Sequence, residues 1–177
     1  MKGVIFTGFV DFVGGRLGGD VLARLLESET RWSAAGSYDG GELLALVDRL
    51  AAESHRSRAD VLRAFGEHLF GYFASLYPVF LEGVESALEL MAGIDGYVHG
   101  EVKKLYPDAD FPHFECAAPA PGRLELQYRS TRPLADLAEG LIRGCVAHFG
   151  DRIDVRRTDV GDAGAHAARF SLVPAEG

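Results

Sequence analysis

One histidine has a setting in which it could bind a metal ion. His99 lies in the segment 95–102 (DGYVHGEV), beside the apolar stripe of a predicted helix. An imidazole at the edge of an apolar face usually belongs to the core or to its boundary. A neutral imidazole in an apolar pocket can also bind a transition metal through one ring nitrogen. The residue alone leaves both interpretations open.

Three polar side chains alternate along a predicted strand. Tyr128, Ser130 and Arg132 follow the pattern Y-x-S-x-R, and alternate residues of a strand project to the same face. A phenol, a hydroxyl and a guanidinium on one face could hold a carboxylate, because the planar guanidinium pairs with both carboxylate oxygens. The alternative is a polar strand end that leads into a helix cap before Pro133.

A third group of polar residues lies in a loop that leads into a strand. Its members are Asp108, Asp110, His113, Glu115 and Cys116. Such side chains could hold zinc or iron with an open position, as in a metalloenzyme. However, the spacing matches no recognised ligand pattern, and alternate residues of a strand point to opposite faces. A solvated loop is the other interpretation.

The composition is that of an ordinary globular protein. Of 177 residues, 47% are hydrophobic, 25% charged and 10% aromatic, which fits a single domain over residues 1–177. The net charge of −8 argues against nucleic acid as a partner, and no apolar run has the length of a bilayer span. The first residues lack the apolar core of a signal peptide, and two cysteines are too few for a disulfide framework. We expect a cytoplasmic protein without membrane contact.

Helical spacing of apolar residues dominates the first two thirds of the chain. Asp39 and Ser57 are predicted to cap two of the helices. The predicted helices are one around 5–13, one over 20–27, one after Asp39, one from Ser57 to Pro78 and one long stretch over 84–105.

After Pro107 the pattern changes to that of strands, with one further helix between them. The alternating segments are 124–129, 153–155 and 168–172, and helical spacing returns over 134–148. Segregated elements of this kind predict an α+β fold with an antiparallel sheet. The sequence has no phosphate-binding loop, serine-nucleophile elbow or HExxH motif, so we predict no enzyme.

Several segments of the chain match one known family. The segment 99–107 (HGEVKKLYP) is similar to a proximal-histidine segment, and 128–132 (YRSTR) to a Y-x-S-x-R haem-propionate motif. The opening MKG and the segments 63–66 (RAFG) and 137–144 (LAEGLIRG) are similar to further family segments. Together they resemble the H-NOX (haem nitric oxide/oxygen binding) family in its stand-alone bacterial form.

The resemblance implies a non-covalent haem b between two lobes. A helical distal lobe of approximately residues 1–60 would pack on a proximal lobe of approximately residues 61–177, which would contain helices and a four-stranded antiparallel sheet. Non-covalent attachment agrees with the absence of a C-x-x-C-H motif. His99 would be the protein ligand of the iron.

The resemblance also implies roles for other residues. Pro112 would press on the porphyrin, while Tyr128, Ser130 and Arg132 would hold the propionates. Six apolar residues would line the distal pocket, and each could equally be an ordinary core residue: Ile5, Phe9, Leu69, Phe73, Leu137 and Leu141.

Leu137 bears most on the choice of gas. In oxygen-binding members of the family, a tyrosine at the equivalent position donates a hydrogen bond to oxygen, whereas Leu137, Leu69 and Phe9 have no donor. Burying the partial negative charge of oxygen on iron without a partner costs about 1 to 3 kcal/mol, and about 1.4 kcal/mol is tenfold in affinity. We expect nitric oxide and carbon monoxide to bind, and oxygen not to bind measurably in air.

The family mechanism implies a signal that starts at His99. This residue would leave the iron when nitric oxide binds on the opposite side, the haem would relax, and the released helix would move. Gly96 and Gly100 flank His99, and each weakens a helix by about 1 kcal/mol relative to alanine. They either soften this helix or merely admit the porphyrin or a neighbouring backbone.

The resemblance further suggests a partner. The chain has no room for an output domain, so we expect a separate histidine kinase or cyclic-di-GMP enzyme to receive the signal. Several bacterial members bind a structural zinc near the second hairpin. Ala135 stands at one of the cysteine positions and His166 is alone, so no zinc is expected here. A haem-free interaction module stays an alternative, because a fold can persist without its site chemistry.

Overall fold

The computed structural model describes residues 1–26, 32–161 and 166–176, apart from the side chain of Leu105. The α-helices are α1 Gly3–Leu17, α2 Gly19–Leu25, α3 Gly40–Ser54, α4 Arg58–Leu76, α5 Ala87–Ala92, α6 Gly100–Leu105 and α7 Ala135–Phe149. The strands are β1 His113–Ala117, β2 Leu124–Ser130, β3 Ile153–Asp159 and β4 His166–Pro174. The predicted α+β class is therefore confirmed. None of the helices in the described ranges is both long and apolar enough to cross a bilayer.

The two predicted caps are present. Asp39 accepts a hydrogen bond from the backbone N–H of Gly41 at 3.0 Å, and Ser57 accepts one from that of Asp60 at 3.1 Å. These bonds satisfy backbone donors that the first turn of a helix leaves unpaired. The helix predicted over 20–27 ends at Leu25, and residue 27 lies outside the described residues.

The single long helix predicted over 84–105 is wrong. Gly93 ends α5, and Ile94–His99 then forms a π-helical segment that leads directly into α6. The backbone N–H of Gly100 donates to the carbonyl of Asp95, five residues earlier, which widens the turn. The apolar spacing continues through these breaks, so the spacing alone did not reveal them.

The four strands form one antiparallel sheet in the order β1-β2-β4-β3. Leu126 of β2 lies opposite Phe170 of β4, and both are fully buried. The buried face of the sheet packs with α5 and α7 into one hydrophobic cluster. Another cluster, which we call the first cluster, holds the inner faces of α1, α3 and the first part of α4; the cluster at the sheet is the second cluster.

Helices α4 and α7 connect the two clusters, because each contributes residues to both. Their backbones approach closely at glycines: a Cβ atom on Gly66 would collide with the carbonyl oxygen of Leu137, and one on Gly140 with that of Arg63. A Cβ atom on Gly144 would lie 2.7 Å from the carbonyl oxygen of Glu67. The division into lobes near residue 60 stays a prediction.

Candidate functional site

His99 is the last residue of the π-helical segment, and its ring is largely enclosed. The side chain is 18% exposed. The ring of Phe111 stacks on it at a centroid distance of 4.7 Å, and that of Phe114 in β1 lies at 6.1 Å. The imidazole therefore lies between its own helical segment and the chain that enters the edge strand.

The carboxylate of Asp95 lies beside this imidazole. Its Oδ1 is 2.9 Å from Nδ1 of His99. Its Oδ2 accepts a hydrogen bond from the backbone N–H of Phe114 at 2.9 Å and lies 2.7 Å from Nδ1 of His113. Asp95 was not among the site residues predicted from the sequence, although residues four apart on a helix are neighbours and this spacing was available as a signal.

His99 is neutral at neutral pH and has one ring nitrogen available. Burial lowers the pKa of His99, and the hydrogen bond and negative charge of Asp95 oppose that effect without reversing it. Nδ1 is occupied by Asp95, and no hydrogen bond reaches Nε2 from the described residues. A neutral imidazole with an available Nε2 can bind a metal.

The three residues of the Y-x-S-x-R pattern gather at the end of β2. Tyr128 is 2% exposed, with its ring 5.4 Å from that of Phe114 and 6.0 Å from that of Phe170. Burial raises the pKa of Tyr128, so its hydroxyl stays protonated and can donate. Ser130 accepts a hydrogen bond at Oγ from the backbone N–H of Arg132 at 3.1 Å.

Arg132 extends from the sheet towards the first helices. Its Nη2 lies 3.0 Å from Oδ2 of Asp110, and its Nε would be 3.0 Å from a Cβ atom on Gly40, the first residue of α3. Asp110 is half exposed, so the guanidinium has one exposed partner and several further N–H donors. A second carboxylate could therefore bind to Arg132.

Pro112 lies in the same region. It is half-buried and stands between Phe111, which stacks on His99, and the start of β1. Phe114 contacts the rings of both His99 and Tyr128. The structure thus brings the predicted iron ligand, the proline and the first residue of the anion-binding pattern to one end of the edge strand.

The predicted distal residues lie on the helices of the first cluster and on α7. Phe9, Leu69 and Leu137 are buried in that cluster. Ile5, Phe73 and Leu141 are half-buried and pack against it, and Leu141 also packs against the second cluster. These positions provide apolar side chains, of which those of Ile5, Phe73 and Leu141 are partly accessible.

The structure does not assemble the alternative metal site. Only His113 and Glu115 of the five contact each other, at 3.7 Å. The others have partners outside the set: Asp108 binds Lys2, Asp110 binds Arg132, and Cys116 donates to the carbonyl of Met91, while His113 also binds Asp95. Among the described residues, no three His, Cys, Asp or Glu side chains are grouped to hold a metal ion. The expectation of no zinc stays a prediction, since residues 162–165 lie outside the described residues.

A family model supplies the decisive comparison. The model, described as haem-NO-binding, matches residues 2–157. The chain belongs to this family, H-NOX. No curated protein matches the chain.

Solved H-NOX structures share its fold. The Fe(II) unliganded protein from K. algicida has a TM-score of 0.88 at 30% identity, covering 100% of this chain and 98% of that one. The Fe(II)NO protein from S. oneidensis has a TM-score of 0.89 at 30% identity, covering 97% and 98%. The IWP-051-bound Fe(II)CO protein from Shewanella woodyi has a TM-score of 0.83 at 33% identity, covering 99% and 95%.

The residues of this chain fit a haem group. A haem group with a histidine ligand needs a neutral imidazole for its iron, donors for two carboxylates and an apolar surface for its rings. His99 has an available Nε2, while Tyr128, Ser130 and Arg132 supply donors at the end of β2. The partly accessible apolar side chains of the helices supply the third requirement.

Proposed function

We propose that the chain binds haem b non-covalently and uses it to sense nitric oxide. The carrying observation is the enclosed imidazole of His99, whose Nδ1 contacts Asp95 and whose Nε2 has no hydrogen-bond partner among the described residues. The haem iron supplies the position where a gas molecule binds. Residues 1–177 would act as one sensor domain, with the haem between a distal lobe and a proximal lobe.

The proximal residues have distinct roles in this proposal. His99 ligates the iron through Nε2. Tyr128 and Ser130 hold one end of the propionates by hydrogen bonds, and Arg132 binds them by charge-assisted bonds, which are stronger than neutral ones. Pro112 presses on the porphyrin from the side of β1.

The distal residues select among gases. The six apolar side chains exclude water and offer no hydrogen-bond donor to a bound gas: Ile5, Phe9, Leu69, Phe73, Leu137 and Leu141. Tyr72, the phenol of α4 beside this surface, already donates its hydroxyl proton to Oγ1 of Thr7 at 3.2 Å. Nitric oxide and carbon monoxide do not need such a donor, so both bind while oxygen is excluded.

The signal would begin with the release of His99, which nitric oxide at the haem would bring about. The π-helical segment and α6 then move relative to the helices of the first cluster. A separate cytoplasmic protein, a histidine kinase or a cyclic-di-GMP enzyme, reads the movement. The chain itself catalyses no reaction.

An absorption spectrum tests the proposal. The purified chain is expected to show a Soret band, which His99→Ala abolishes and free imidazole restores. His68→Ala is the matched control, because His68 pairs with Asp11 of α1 and should leave the band unchanged. A chain without any Soret band after haem addition would contradict the proposal and favour the haem-free interaction module.

The choice of gas is tested on the ferrous protein. Nitric oxide is expected to give the absorption of five-coordinate iron, which reports loss of His99. Carbon monoxide should also shift the Soret band, whereas air should not. A stable oxy spectrum of the ferrous protein would refute the exclusion of oxygen, while leaving haem binding intact.

A further inference from the structure

The carboxylate of Asp95 makes three contacts beside the proposed iron ligand. One oxygen lies 2.9 Å from Nδ1 of His99, and the other accepts from the backbone N–H of Phe114 at 2.9 Å. Oδ2 also lies 2.7 Å from Nδ1 of the exposed His113. The carboxylate therefore joins the π-helical segment to the edge strand of the sheet.

We infer that Asp95 is the positioning residue for His99, which it holds in the one tautomer and orientation able to ligate iron. This inference rests on the proposed function and goes beyond it, because it states what sets the strength of the iron–histidine bond. An ionised carboxylate only accepts hydrogen bonds, so Nδ1 must carry the proton. The lone pair of a neutral ring then lies on Nε2.

The bond to β1 makes Asp95 a well-ordered acceptor. The N–H of Phe114 fixes Oδ2, and the neighbouring oxygen can then point only at the imidazole. Hydrogen bonding of a ligating histidine to a carboxylate fixes its ring and raises its basicity. Asp95 thus strengthens the iron–histidine bond and slows the loss of His99 after nitric oxide binds.

The test compares Asp95→Asn with the wild type, both loaded with haem. The amide has nearly the same size, but one of its two polar ends donates. The amide can therefore pair with either tautomer of the imidazole. Its single oxygen cannot accept from both Nδ1 of His99 and the N–H of Phe114. Glu101→Gln is the matched control, because Glu101 lies on α6 and pairs with Lys104 rather than with His99.

The first readout is the iron–histidine stretching frequency of the ferrous protein, measured by resonance Raman spectroscopy. Asp95→Asn should lower this frequency and accelerate the loss of His99 after nitric oxide by about tenfold or more. Glu101→Gln should change neither. An unchanged frequency and rate in Asp95→Asn would overturn the inference but leave haem binding standing. A wild-type chain without a Soret band would overturn the proposed function itself.

A second readout needs only the wild-type chain. In the diamagnetic protein with carbon monoxide, the Nδ1 proton of His99 should give an NMR signal at low field and exchange slowly with solvent. A His99 whose Nδ1 proton exchanges at the solvent rate would overturn the inference, even if Asp95→Asn failed to fold.

Discussion

The helix pair α4–α7 and the segment that carries His99 both contain glycines, but with opposite consequences. Gly66 and Gly140 bring two backbones into direct contact, where a Cβ atom has no room. A Cβ atom on Gly96 would meet no described atom within 4 Å, and one on Gly100 would lie at an ordinary 3.6 Å from the carbonyl oxygen of Asp95.

This difference separates a rigid region from a compliant one. Glycines that permit close packing fix two helices to each other, because neither can shift without a clash. Glycines without such contacts only add freedom to the unfolded chain and weaken the helix. No described backbone approaches Gly96, so the softening hypothesis and the admission of the porphyrin are the two explanations left for that residue.

The largest expected effect on stability comes from placing a side chain in the close contact between α4 and α7. Gly140→Ala should lower the free energy of unfolding by about 1 to 3 kcal/mol, because the backbone at Arg63 must move. Gly71→Ala on α4 is the control: its Cβ atom would meet no described atom within 4 Å, and alanine should stabilise that helix by up to about 1 kcal/mol. Urea denaturation measures both. Equal effects would contradict the distinction between glycines with and without a close backbone contact.

Replacing the glycines of the compliant segment with alanine should increase stability instead of lowering it. Gly96→Ala with Gly100→Ala should stabilise it by up to about 1 kcal/mol per glycine and slow the release of His99. Hydrogen exchange of the amides in 97–104 and the rate of change after nitric oxide addition measure this. If neither ligand loss nor control of the partner changed, the softening hypothesis would be wrong.

A smaller effect is expected from the ion pairs that hold β3 to the rigid region. Asp136 on α7 accepts from Arg63 of α4 at 2.8 Å and from Arg157 of β3 at 2.9 Å. Asp136→Asn should lower the free energy of unfolding by about 1 kcal/mol, since the group is partly exposed and its pairs are screened. Asp154→Asn, which loses only the exposed pair with Arg156, should change little. If both variants lost the same free energy of unfolding, the ion pairs of Asp136 would stabilise the fold no more than an exposed pair does.

The smallest effect concerns the loop after α6. Lys2 donates to both oxygens of Asp108 at 2.9 and 3.0 Å, and Ser37 donates at 3.0 Å. The hydrogen bonds from Lys2 and Ser37 hold the pKa of Asp108 below its ordinary value of 3.8. The stabilisation that these hydrogen bonds give the folded state is therefore fully present at pH values well above the ordinary pKa. It is lost as the pH falls through the lowered pKa.

Asp108→Asn should thus lower the melting temperature slightly at neutral pH, because the pair is exposed. The difference from the wild type should disappear in acid. A difference that persists unchanged in acid would mean that the pair with Lys2 is not its cause.

The sequence predicted the regular parts of the molecule well. The caps at Asp39 and Ser57 and the alternation in β2 are local signals, and the structure confirms them. The pairing order of the strands did not follow from such signals, because it depends on contacts far apart in the chain.

The site was predictable only in part. His99 and the Y-x-S-x-R residues stood out by type, spacing and family resemblance. Asp95 did not, and Asp110 stood out only as a possible metal ligand, because the structure was needed to show which partner each carboxylate binds. The π-helical segment was hidden for another reason: its apolar residues keep the spacing of an α-helix.

The shared helices α4 and α7 also determine how the chain unfolds. Both hydrophobic clusters include residues of the same two helices, so loss of one cluster removes part of the other. We therefore expect one cooperative transition, with the slowest-exchanging amides in α4 and α7. For the same reason, a chimera that takes its first helices from a relative must exchange the facing residues of this pair as well.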